Sequence, residues 1–187
     1  MTGDLDFRIL GISGSGRKGS YNTALLRAAE DLLPKGATLE LYDVAKLPLY
    51  NQDLEAEPPT VVSEFKTRIE ESRAILFATP EHNYSVSAVM KNALEWGNRP
   101  EGHNSWDGKP AAIMSASSGP RGGARAQLHL RQIFVDVNVY PMNEPQLFVS
   151  NEGTKFDGDL RLTDSRTRES LRELLLALVQ WARRLNP

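Results

Sequence analysis

The sequence FRILGIS at residues 7–13 runs directly into GSGRKGS at residues 14–20. The first segment is apolar and rich in β-formers, and the glycines and serines that follow are typical of the end of a buried parallel strand. Beyond the loop, apolar residues recur at the spacing of one helix face until Pro34 and Gly36: Leu25, Leu26, Ala29, Leu32 and Leu33. The chain therefore begins with a predicted strand, a polar loop and a helix.

The same alternation continues to the end of the chain. Further strands are predicted at 37–44, 74–79, 111–116 and within 139–149, and further helices around 62–69, at 87–96, at 124–135 and at 171–185. Strict alternation predicts an α/β fold with five parallel strands and helices on both faces. Without repeats or a linker, residues 1–187 are expected to form a single domain. Ligands of such sheets bind outside the carboxyl ends of the strands, so the loops after strands one, three and four are the candidate site.

Composition excludes several classes of function. The 187 residues include 22 basic and 24 acidic side chains, so there is no basic excess for binding nucleic acid. Cysteine is absent, which excludes disulfides, thiolate metal sites and a cysteine nucleophile. Only three histidines occur, without the spacing of a helical zinc pair, so no metal site is expected. The longest apolar run, 174–179, is too short to span a bilayer, and the acidic first residues do not resemble a signal peptide. No membrane association and a cytoplasmic location are expected.

The first loop has the composition of an anion site. It lies at a predicted helix N-terminus, where unpaired N–H groups and the helix dipole favour negative charge. Donor side chains surround it: Ser13, Ser15, Arg17, Ser20 and Asn22. This many donors suits a terminal phosphate with its three acceptor oxygens.

Two other interpretations of this loop remain open. Gly14, Gly16 and Gly19 match the dinucleotide fingerprint GxGxxG, with Asp43 as the acid that would bind a ribose. Ser20 as the helix N-cap would make the loop longer than the tight turn of that motif. The segment could also be an ordinary strand-to-helix turn with a serine cap.

The loops after strands three and four carry less specific signals. The second, Thr79 to Ser85, is dense in polar and aromatic groups, and Tyr84 could stack on a flat ring or be a half-buried packing residue. His82 alone indicates a surface or capping histidine. The third loop, Ser115 to Gly123, has small residues that permit a planar ligand to approach the backbone.

Together these segments resemble the NADPH-dependent FMN reductase family. The resemblance lies in GISGSGRKGSYNTALLRAA (11–29), ATPEHNYSVSAVMKNALEWGNRP (78–100) and SASSGPRGGARAQLHLRQ (115–132), in the order and spacing of the family. It implies a flavodoxin-like three-layer sandwich with strand order 2-1-3-4-5. It further implies non-covalent FMN and assembly as a homodimer or homotetramer.

The resemblance also implies a set of cofactor-binding residues. The FMN phosphate would lie on Ser15, Arg17, Ser20 and Asn22, with Ser13 in the same loop. The isoalloxazine would lie against Pro80, Glu81, His82, Asn83 and Tyr84, with Ser115, Ser117, Ser118 and Gly119 across the pocket. Gly16 replaces a common leucine of the family and His82 a common tyrosine, and a backbone contact at His82 would survive that exchange.

The implied activity is reduction of a small-molecule acceptor by NADPH or NADH through bound FMN. Quinones, free flavins, chromate and ferric complexes are the expected acceptors, in a ping-pong cycle. Because the flavin performs the redox chemistry, no side chain is assigned a catalytic role. The alternatives are a flavodoxin-type electron carrier, disfavoured by the nearly neutral charge, and a Rossmann-type dinucleotide-binding protein. Trp96 and Trp106 predict either aromatic surface at a subunit interface or inward packing.

Overall fold

The structure is a computed structural model that describes residues 7–186. The predicted absence of a signal peptide concerns residues 1–6, which lie outside the described residues. Six strands and five α-helices follow one another in this part of the chain: β1 (Phe7–Ser13), α1 (Tyr21–Glu30), β2 (Ala37–Tyr42), α2 (Thr60–Glu71), β3 (Ala74–Ala78), α3 (Ala88–Asn98), β4 (Pro110–Ser117), α4 (Ala124–Asp136), β5 (Tyr140–Pro141), β6 (Leu147–Ser150) and α5 (Ser165–Leu185).

The strands form one parallel sheet in the order β2-β1-β3-β4-β5, and β6 also pairs with β4. This confirms the flavodoxin-like α/β fold and the predicted strand order. From β1 to β5 each connection between consecutive strands carries a helix that covers one face, which is the arrangement expected of a parallel sheet.

The predicted fifth strand is the main error in the fold. Within 139–149 the chain forms two short strands, which pair with different parts of β4: β5 with Pro110 and Ala111, and β6 with the segment from Met114 to Ser117. Residues 142–146 between them include Pro145, which has no N–H to donate to a sheet. The edge of the sheet is therefore interrupted, and the alternation of strands and helices breaks at this point.

Two hydrophobic clusters hold the helices to the sheet. Helices α1 and α5 pack on one face, with Leu25 and Leu175 among the buried residues. Helices α2, α3 and α4 cover the other face, where Phe65 and Phe134 are buried. The strand β1 contributes Ile9 to the first cluster and Leu10 to the second, as alternation along a strand requires.

Trp96 and Trp106 both belong to the second cluster and are almost completely buried. The interpretation in which these tryptophans pack inward is confirmed, and the expected aromatic surface is wrong. Their indole N–H groups are also satisfied internally: Trp96 donates to the Pro48 carbonyl at 2.7 Å and Trp106 to the Leu94 carbonyl at 3.1 Å. These bonds tie α3 to the loop between β2 and α2 and to the loop that follows α3.

Smaller differences concern segments between the elements. The strand β2 ends at Tyr42, two residues before its predicted end, because Asp43 caps a short 3-10 turn at Val44–Lys46. Two more 3-10 turns, Gln52–Leu54 and Glu152–Thr154, lie where no element was predicted. Within residues 7–186 no helix has the length and apolar character needed to cross a membrane.

Candidate active site

The loops after β1, β3 and β4 meet at one edge of the sheet, as the topology predicts. They surround a cavity of about 510 Å³, called the main cavity below. Its lining comes from the loop after β1 (14–17, 20–22), the loop after β3 and the start of α3 (80–82, 87–89), the end of β4 and its loop (116–118), and Glu152. The volume lies within the range of small-molecule and cofactor sites.

The first loop is held in shape by its own serines. Ser20 is the N-cap of α1 and accepts from the Thr23 N–H at 3.3 Å, as predicted. Ser13 shares a hydrogen bond of 2.8 Å with the Thr23 hydroxyl, and the Arg17 guanidinium donates to the Gly19 carbonyl at 2.6 Å. Side-chain and backbone donors of the loop thus converge beside a helix N-terminus, which is a favourable place for an anion.

Asn22 joins this loop to the other side of the cavity. Its amide donates to the Ala116 carbonyl at 3.0 Å and accepts from the Ala116 N–H at 2.9 Å, although the two residues are 94 positions apart. The predicted phosphate residue is therefore also a bridge between α1 and β4. One amide hydrogen remains for a ligand, since an asparagine side chain carries two.

Glu81 and Tyr84 are organised by Arg125 of α4. The Arg125 guanidinium lies 3.3 Å from a Glu81 oxygen and 3.6 Å from the centre of the Tyr84 ring. The backbone N–H of Arg125 also donates to the Glu81 carboxylate, at 3.1 Å. Glu81 is thus a structural partner of α4, and its carboxylate is largely committed before any ligand binds.

The second loop carries a tight two-residue turn. His82 and Ser85 exchange backbone hydrogen bonds of 3.0 and 2.9 Å, and Asn83 and Tyr84 between them both have positive φ. This is the geometry of a type I′ turn, in which asparagine is favoured. Because the His82 N–H is engaged in the turn, the expected backbone contact from His82 cannot use that donor.

Nine of the fourteen predicted site residues line the main cavity: Ser15, Arg17, Ser20, Asn22, Pro80, Glu81, His82, Ser117 and Ser118. Asn83 and Tyr84 project from the tight turn into solvent, with Tyr84 68% exposed. Ser13 and Gly119 do not line the main cavity: Ser13 ends β1 and bonds to Thr23, and the Gly119 N–H donates to the Ser117 hydroxyl. Ser115 is completely buried, and its hydroxyl donates to Gly122 and accepts from Gln127.

Ser87 and Glu152 are among the lining residues that the sequence analysis did not predict. Ser87 is the N-cap of α3, and its hydroxyl also donates to the Gly14 carbonyl at 2.5 Å, which joins the first and second loops. Glu152 follows β6 and contributes a buried carboxylate oxygen, Oε2, with no hydrogen-bond partner in the described part of the chain. Its position after the last strand was the available signal, because all parallel strands end at this edge.

Asp43, the acid of the dinucleotide interpretation, is not part of the main cavity. Its carboxylate accepts from the Ala45 N–H at 3.2 Å and lines a separate depression of about 300 Å³ on the other side of the first loop. Gly16 lies between the two, and a Cβ there would approach that of Ala45 to 3.1 Å. A side chain at this position would therefore need the 3-10 turn after β2 to shift by a few tenths of an ångström.

Comparison with known proteins decides among the interpretations. The model of the NADPH-dependent FMN reductase family matches residues 7–154. The chain belongs to this family. As a member of the NADPH-dependent FMN reductases it is an oxidoreductase enzyme with FMN as cofactor and NAD(P)H as co-substrate.

Relatives in this family cover almost the entire chain. An NAD(P)H-dependent FMN reductase of Pseudomonas aeruginosa is 48% identical over 97% of this chain and 98% of its own. An NADPH:quinone oxidoreductase of Arabidopsis thaliana is 45% identical over 96% and 93%. Among solved structures, the flavoenzyme FerB, an NAD(P)H:(acceptor) oxidoreductase from Paracoccus denitrificans, superposes with a TM-score of 0.87 and 36% identity, covering 95% of this chain and 97% of FerB.

Proposed function

We propose that this FMN reductase binds FMN in the main cavity and reduces quinones, free flavins, chromate or ferric complexes with NAD(P)H. The observation that carries the proposal is the composition of the cavity. Donors surround the α1 N-terminus, where a phosphate is favoured, and the unpaired Glu152 oxygen offers an acceptor to a ribityl hydroxyl. The residues present therefore fit both polar parts of FMN.

Each group of residues has a distinct task in this proposal. Arg17, Ser15 and Ser20 hold the phosphate, with the free hydrogen of the Asn22 amide. Pro80 and His82 bound the ring on one side, and Ser117 and Ser118 bound it on the other. FMN held by these residues would supply the two-electron redox chemistry between NAD(P)H and the acceptor.

The phosphate site is tested by comparing FMN with riboflavin, which lacks the phosphate. We expect Arg17→Ala to weaken FMN binding to the apoprotein about tenfold or more, because a charge-assisted hydrogen bond is lost, and to leave riboflavin binding nearly unchanged. Lys18→Ala is the matched control, since Lys18 is the adjacent cation and lies outside the main cavity. Fluorescence titration measures both affinities, and an unchanged ratio of FMN to riboflavin affinity in Arg17→Ala contradicts the assignment.

Use of the main cavity by both substrates makes a kinetic prediction. If NAD(P)H and the acceptor must occupy the same cavity in turn, the reaction follows a ping-pong scheme. Initial rates at several fixed quinone concentrations should then give parallel double-reciprocal lines against NADPH. Intersecting lines would show that both substrates bind together and would overturn this part of the proposal.

We further propose that the protein assembles as a homodimer or homotetramer. Its partner is then a second copy of this chain, and neither a membrane nor a nucleic acid. Two large apolar side chains on the outer face of α4 support it: Leu128 is 65% exposed and Val135 is 83% exposed. Seven residues apart, they lie two turns apart on one side of the helix. A second copy of the chain would remove this apolar surface from water.

A further inference from the structure

A second cavity lies outside the flavin site, at the opposite end of α3. It has a volume of about 200 Å³ and lies between α2, the loop before it and the loop after α3. Val62, Pro58, Trp96 and Pro100 supply apolar wall, whereas Lys66 and Arg99 supply positive charge. At about 30 Å³ per water, the space could hold roughly six or seven waters or one small ring compound.

Lys66 is the polar centre of this second cavity. The residue is only 7% exposed, and its ammonium donates to the carbonyls of Arg99 and His103. A lysine has three N–H donors, so one remains. Burial lowers the pKa of Lys66 below its ordinary value, against the opposing charges of Glu70 and Glu55.

Arg99 presents a second unused donor. Its Nε is buried and has no hydrogen-bond partner among the residues that the structure describes. Its guanidinium carbon lies 5.9 Å from the centre of the Tyr50 ring. Within residues 7–186, neither Arg99 nor Lys66 forms an ion pair with a carboxylate.

The two acids beside the cavity are already occupied by other donors. Glu55 accepts from the Tyr50 hydroxyl at 2.6 Å. Glu70 accepts from the Ser105 hydroxyl at 2.6 Å and lies 3.0 Å from the His103 ring nitrogen. Although burial raises the pKa of Glu70, the hydrogen bonds from Ser105 and His103 bring it below its ordinary value. The cavity is therefore short of acceptors rather than donors.

We propose that this second cavity binds a small planar monocarboxylate, of about the size of benzoate, with its carboxylate on Lys66 and Arg99 and its ring against Trp96. The carboxylate supplies the missing acceptors, and the ring replaces water on the apolar wall. Glu55 and Glu70 also line the cavity, and their negative charge disfavours a second carboxylate on the ligand.

The test uses the FMN-loaded protein with benzoate as probe and benzamide as its uncharged analogue. The indole N–H signals of the tryptophans in NMR spectra show whether the probe binds in this cavity, because Trp96 lines it and Trp106 and Trp181 do not. We expect benzoate to shift the Trp96 signal and to bind about tenfold or more tightly than benzamide. Equal affinity for the two compounds overturns the proposal.

Three variants locate the bound probe. Ser63→Phe fills the cavity from an exposed position on α2, and Glu64→Phe is its control, because Glu64 is exposed on the same helix but does not line the cavity. Benzoate binding should be lost in Ser63→Phe and kept in Glu64→Phe, and Arg99→Gln should weaken it about tenfold. A benzoate-induced change of the flavin absorbance that persists in Ser63→Phe, without a Trp96 shift, places the probe in the main cavity and overturns the proposal.

Discussion

At the scale of single residues, Asn22 combines a structural task with a ligand-binding one. Replacing it with alanine leaves the buried N–H and carbonyl of Ala116 without their partner. An unsatisfied buried polar group costs about 1–3 kcal/mol, so we expect Asn22→Ala to lower the free energy of unfolding by about that amount even without FMN. Urea denaturation of the apoprotein measures this loss.

Asn22→Asp is the informative companion variant. The carboxylate can still accept from the Ala116 N–H but cannot donate to its carbonyl, so its unfolding midpoint should fall between those of the wild type and Asn22→Ala. If Asn22→Ala binds FMN more weakly but unfolds at the wild-type midpoint, the bridge to Ala116 contributes nothing to stability.

Residue types could be predicted here, whereas their partners could not. Ser20 as a helix cap follows from local sequence, because the cap and the N–H that it accepts are three residues apart. The partner of Asn22 is 94 residues away, and Arg125 joins Glu81 and Tyr84 from another helix. No local pattern contains these contacts, so the sequence placed Asn22, Glu81 and Tyr84 near a ligand without showing what holds them.

At the scale of elements, the start of α5 predicts a pH effect. Asp164 is its N-cap, accepting from the Thr167 N–H at 2.9 Å and hydroxyl at 2.6 Å and from Lys155 at 3.0 Å. The Thr167 hydrogen bonds, and then Lys155, lower the pKa of Asp164 from 3.8 to about 2. A depressed carboxyl pKa stabilises the fold above the unfolded-state pKa, so this contribution should be lost as the pH falls from about 4 to about 2.

Asp164→Asn separates the charge from the cap. Asparagine also caps helices, so we expect a small change in unfolding free energy at pH 7 but a shallower decline in acid than in the wild type. Asp164→Ala, which loses the cap, should cost about 0.5–2 kcal/mol at pH 7. Thermal or urea unfolding across this pH range checks both, and identical acid profiles for wild type and Asp164→Asn refute the assigned role.

Elements with a strong apolar pattern were predicted well, whereas the segment at the β5 and β6 edge of the sheet was not. Strands β1, β3 and β4 are buried on both faces, and their continuous apolar runs show in the sequence. The edge segment has a neighbour on one side only, so short stretches such as β5 and β6 can pair separately with β4. Glu152 was missed for the same reason, because its position depends on where β6 ends.

At the scale of the whole molecule, the α4 face predicts the state of assembly. Leu128 and Val135 are exposed and belong to neither hydrophobic cluster, so replacing both with glutamate should leave the fold intact and place charges on the proposed subunit contact. We expect light scattering to show a dimer or tetramer for the wild type and a smaller species for the double variant. Leu49→Glu is the matched control, since Leu49 is 81% exposed and lies outside α4. A wild-type monomer contradicts the proposed assembly, and an unchanged oligomer in the double variant removes this face of α4 from the interface.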